Sequence, residues 1–86
     1  MAMEEAFRAY QVSLSIWQSH VAALEFQRGV LESCRRRFEA GEVSWKEHAL
    51  ARMGFLDMEI ALDEAREEVR RNEAKLLFAL GLTYLR

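Results

Sequence analysis

The side chains able to do chemistry are few and far apart. Two histidines, His20 and His48, stand 28 positions from each other, and Cys34 is the single cysteine, followed directly by Arg35-Arg36-Arg37. Helical iron and zinc sites gather their ligands through Glu-x-x-His or His-Glu-x-x-His spacings, which place them on one face. Neither histidine stands in such a pattern, so both read as ordinary surface or interface residues. Cations can activate a neighbouring thiol. Cys34 also falls on an apolar stripe, where a small buried hydrophobe is the simpler reading. The three arginines close a helical pattern, where positive charge complements the helix dipole. Further on, Glu64, Glu67 and Glu68 interleave with Arg66, Arg70 and Arg71. Glu67–Arg71 and Glu67–Arg70 have the i,i+4 and i,i+3 spacings of ion pairs on a solvated face. There is no glycine-rich phosphate loop and no nucleophile beside a base. No catalytic residue, cofactor site or metal site is expected, and the chain reads as non-enzymatic. An enzyme built as an intertwined helical dimer would need a deep polar pocket holding His20 or the arginines.

The elements that carry these residues are two long helices, in an all-α fold. In the first half Phe7, Tyr10, Leu14, Trp17, Val21, Leu24, Leu31 and Phe38 follow alternating three- and four-residue steps, with Arg28 and Arg35 in the gaps. That spacing marks the seam of a helix packing in coiled-coil fashion. Beside it runs a second stripe of Val12, Ile16, Ala23, Phe26, Val30 and Cys34. The second half keeps the same steps through Phe55, Met58, Leu62, Ala65, Val69, Leu76 and Ala79, with Asn72 in its one gap. It has a partial second stripe of Ala49, Met53, Leu56 and Ile60, and an end, 76–80, that is apolar nearly all round. Gly41 suits a helix C-terminal cap, because glycine adopts the left-handed conformation freely. Ser44 with Glu47 three residues on forms a capping box, and Val43 is placed to staple onto His48. These signals predict one hairpin domain over 1–86, with helix 3–39, turn 40–43 and helix 44–84, its arms antiparallel. Gly29 and Gly54 lie inside the helical patterns, where they could allow close helix approach or simply be tolerated.

Two antiparallel helices bury one stripe each. The second stripes, through Ile16, Phe26, Val30, Leu56 and Ile60, are therefore the candidate interaction surfaces. The simplest way to cover them is a homo-oligomer, and a two-fold dimer forming a four-helix bundle closes most directly. A larger ring of hairpins would use the same surfaces. Leu24 and Ile60 are expected to be core positions.

Composition narrows the function classes. The 86 residues include 12 Lys+Arg and 14 Asp+Glu, for a net charge of -2, which gives no general attraction to nucleic acid or anionic lipid. A hydrophobic share of 51% with no proline suits packed helices and excludes a disordered tail. One cysteine allows no intrachain disulfide. No apolar run nears the roughly 20 residues that span a bilayer, and Met1-Ala2-Met3-Glu4-Glu5 carries no signal-peptide pattern. The chain is expected to be cytoplasmic, or a piece of something larger.

The turn and second helix resemble the periplasmic helical hairpin of outer-membrane efflux proteins of the TolC type. The likeness rests on Arg37-Phe38-Glu39-Ala40-Gly41-Glu42-Val43-Ser44, then Glu47, Leu50-Ala51, Glu59, Ala65 and Ala79-Leu80-Gly81. It covers roughly residues 28–81. In that family hairpins stand side by side in a helical tunnel, and their turns meet the coiled-coil tip of an adaptor protein. The resemblance implies that Gly41, Ser44 and Glu47 lie at a docking tip, that the stripes are lateral packing surfaces, and that the location is periplasmic. The family's usual Asp followed by Val-Leu is Glu47-His48-Ala49 here, and its membrane strands and second half have no counterpart. The alternative function is a cytoplasmic homo-oligomeric regulator or scaffold.

Overall fold

The computed structural model describes residues 2–84, of which the side chains of 3–81 are placed. Two helices, α1 (Ala2–Glu39) and α2 (Trp45–Tyr84), fold back on each other into a rod with Cα extents of 68 × 14 × 14 Å. Their 38 and 40 residues follow from sequence with no proline to break them and with acidic Glu4 and Glu5 opening α1 while Arg36 and Arg37 close it. Both charge sets oppose the helix dipole.

The reversal is made by local chemistry. Gly41 takes a φ of +75°. This lets the Glu42 N–H donate to the Arg37 carbonyl at 2.8 Å and the Gly41 N–H to the Phe38 carbonyl at 3.0 Å. These are the two bonds of a Schellman cap, which satisfy carbonyls that the helix end leaves without partners. Three residues later the Ser44 hydroxyl accepts from the Glu47 N–H at 3.1 Å, the N-cap bond that starts α2. His48 stacks on Phe38 across the turn, with ring centroids 4.9 Å apart, and half-buried Val43 lines a groove with its neighbours Glu47 and Ala51.

Along α2 the inner line runs in three-four steps through Phe55, Met58, Leu62, Ala65, Val69, Asn72 and Leu76, all buried or half-buried. Along α1 the inner line differs from the expected seam. Tyr10, Trp17, Leu24 and Leu31 are in it, but Ser13, His20, Gln27 and Cys34 occupy the alternate steps. Phe7 and Val21 are exposed. The expected series would have brought Arg28 and Arg35 into the interface, and an unpaired buried charge costs more than a few apolar contacts return. With α1 turned by about one position, Arg28 lies over the Phe55 ring at 5.6 Å. Arg35 bonds Glu39 at 2.8 Å and also pairs with Glu32. Cys34, half-buried, stands at the edge of the inner line and also beside Phe26 and Val30 of the second stripe.

Among the described residues Leu24, 8% exposed, is the sole buried hydrophobic side chain, and none is fully buried. Ile60, expected in the core, is 56% exposed and points away from α1. A side chain built at Gly54 would meet the Gln27 amide oxygen at 3.5 Å, an ordinary contact, and one at Gly29 would meet nothing. Neither glycine is therefore demanded by close helix approach. At Gly41 a Cβ would also find open space, so the demand there is purely conformational. Gly41→Ala should destabilise the hairpin by about 1–2 kcal/mol through left-handed strain alone, read as a lower denaturation midpoint at an unchanged slope. An unshifted midpoint would contradict this account of the turn.

Candidate interaction surfaces

The positions left outside the inner lines are unusually apolar. Phe26 is 70% exposed, and Val12, Ile16 and Val30 lie on the same stripe of α1, also exposed. On α2 Met53, Leu56 and Ile60 are exposed in the same way. The two sets face different directions. Phe26 and Val30 form one wall of a groove whose other wall is Val43, Glu47 and Ala51. Met53 and Leu56 line a separate hollow with Trp45, His48, Ala49 and Arg52. At 100° per residue, Ala49, Met53, Leu56 and Ile60 lie roughly opposite Glu47 and Ala51 around α2. Glu47 and Ala51 share the angle of the inner line, so the groove opens on one flank of the rod while the α2 stripe lies on the back of α2, away from α1.

The expected interaction residues divide accordingly. Phe26, Val30 and Glu47 come together in the groove, close to the turn. Leu56 lines the separate hollow on the back of α2, and Ile60 continues that face one turn further from the tip. Ile16 stands further along the α1 stripe. Gly41 and Ser44 form the turn itself, with the Arg37 guanidinium 3.6 Å from the Glu42 carboxylate. Reading the sequence missed Trp45, which is 73% exposed beside the tip. Its position directly after the Ser44 cap placed it in the first turn of α2, and the spacing there gave no reason to single it out. Also missed was a cleft at the open end, lined by Met3, Phe7, Leu76 and Leu80. The apolar segment 76–80 is only partly covered there, since Leu77 and Phe78 are exposed.

The polar groups serve the helices individually. The His20 Nδ1–H donates to the Ile16 carbonyl at 2.8 Å within α1, while His48 stacks at the turn, so the histidines do not meet. Among the described residues no three His, Cys, Asp or Glu side chains could hold a metal ion, and no helix is long and apolar enough to cross a membrane. Arg70 pairs with Glu67 at 3.1 Å, but Arg71 pairs with Glu68 rather than with Glu67 as its spacing had suggested. The hydrogen bond from Arg71 holds the Glu68 carboxyl below its ordinary range. Arg35 does the same to Glu32.

No protein-family model matches the chain, and no curated protein or solved structure shows significant similarity to it.

Both depressed carboxyls sit on exposed faces, and the sign of their effect is fixed. A carboxyl whose pKa is lower folded than unfolded adds stability above the unfolded value, and this is lost as pH falls through the folded one. The double variant Glu32→Gln, Glu68→Gln should therefore melt slightly lower than the parent at neutral pH. The gap should close as the pH is lowered through the carboxylate range. A gap that stays constant with pH would show that these pairs contribute nothing through charge.

Proposed function

We propose that the chain is a non-enzymatic helical assembly module whose copies pack through their outer flanks. The observation that carries this is the exposure of Phe26, Val30, Met53, Leu56 and Ile60 beside a nearly empty core. Fully burying each such side chain is worth about 1.5–3 kcal/mol. Several together reach the order of the ~4–15 kcal/mol that association costs in lost freedom. The placement of the two stripes favours a side-by-side row or ring over the two-fold bundle. A two-fold axis sets like against like, so it would cover the α1 stripe or the α2 stripe and leave the other in water. Packing the α2 stripe of one copy against the α1 groove of the next covers both. The stripes also suit each other in height. Counted from the two helix ends at the turn at equal rise per residue, Val30 and Phe26 lie level with Gly54 and Met58, within the span from Met53 to Ile60. The glutamates beside the groove, Glu25 and Glu47, offer partners to Arg52 beside the opposite hollow.

The likeness of residues 37–44 to the tip of TolC-type hairpins gives this reading a narrower form. In it, the chain is a fragment or a repurposed relative of an efflux-channel hairpin, with Gly41, Ser44, Glu47 and the exposed Trp45 at the end that would meet an adaptor coiled coil.

Two variants test the packing directly. Phe26→Asp spoils the groove and Ile60→Asp spoils the opposite stripe. Side-by-side packing makes each variant monomeric alone, while a mixture of the two forms a species of two chains, through the one good interface they retain between them. Like-with-like packing predicts that one variant still dimerises alone and that mixing forms nothing new. A wild-type chain that is monomeric at micromolar concentration would overturn the proposal entirely.

A further inference from the structure

Asn72 is out of place on the inner line of α2. Its neighbours there are Ala65, Val69 and Leu76, yet it is itself only 6% exposed. Its amide reaches across to the Ala9 carbonyl of α1 at 3.5 Å and along its own helix to the Glu68 carboxylate at 3.4 Å. Both contacts are at the long end of hydrogen-bonding range. The arginine–carboxylate pairs, by contrast, stay within one helix or its turn. Where Asn72 meets α1, two of the side chains beside it are small, Ala9 and Ser13, on either side of the half-buried Tyr10. Ser13 is 4% exposed and turns its hydroxyl onto the Tyr10 carbonyl at 2.8 Å. Ala9 and Ser13 thus leave a window through which the Ala9 carbonyl can be reached. On the outer stripe of α1 the corresponding positions are Val12 and Ile16, whose branched side chains cover their backbone.

We infer that Asn72 is a pairing-specificity residue: it selects the Ala9–Ser13 window of its own α1 and excludes the less polar outer stripe of another copy. The outer stripe would otherwise compete, because Val12, Ile16, Ala23, Phe26 and Val30 are all apolar, whereas polar Ser13, His20 and Gln27 take alternate steps of the inner line. A single polar residue in a helical seam is known to fix pairing at a cost in stability. This inference concerns which helix α2 pairs with inside the chain, so it is separable from the outer-flank assembly.

The test uses Asn72→Leu with spin labels at Gln11→Cys and Glu73→Cys, two exposed positions near this layer, in a Cys34→Ser background. Labelled chain is diluted into excess unlabelled chain, so that only distances within one molecule are read. With Asn72 present, one short distance is expected. Asn72→Leu should raise the melting temperature and at the same time add a second, longer population from α2 helices paired elsewhere. A higher melting temperature with a single unchanged distance would overturn the inference, because Asn72 would then cost stability without selecting anything. A melting temperature that stays or falls would also overturn it, by showing that the amide is not a stability cost.

Discussion

Two helices that touch along one line can bury one line of side chains each, and every other feature of this rod follows from that limit. The chain carries apolar residues for more lines than one. Leu24 is buried, whereas Phe26, Ile16, Leu56 and Ile60 are left outside. Larger domains escape the limit by adding layers. The 86 residues go into two helices of 38 and 40 residues, and in the proposed assembly the further layers are other copies of the chain.

The division between inner and outer lines is settled by charge as much as by hydrophobicity. Leu14 and Val21 look better suited to a seam than Ser13 and His20. Using them fully would have drawn Arg28 and Arg35 inward, away from Glu25, Glu32 and Glu39, with which they pair on the surface. The helix instead accepts a thin, partly polar seam facing α2. This leaves an apolar stripe of α1 on an outer flank, at the level where the back of α2 is also apolar.

How much could be read from sequence depended on how local the cause was. The turn was legible because its chemistry lies within a few residues: Gly41 is needed for a positive φ and Ser44 for a cap, and both are used that way. The seam of α2 was legible because only Asn72 interrupts it. The seam of α1 was not, because two three-four series share Tyr10, Trp17, Leu24 and Leu31, and periodicity alone cannot choose between them. The exposed stripes were visible as stripes. Their placement, one on a flank of the rod and the other on the back of α2, depends on how each helix is rotated against the other, as does the exposure of Trp45 beside the tip. Ile60 shows the same ambiguity: an apolar residue in a long helix is core or surface only once its partner helix is known.

The central claim is that water drives separate rods together through those flanks. Sedimentation equilibrium of the unaltered chain over low to high micromolar concentration tests it most directly. The account predicts an average mass above the 10.0 kDa of one chain, rising with concentration. A constant 10.0 kDa mass from a fully helical, cooperatively melting protein would contradict it.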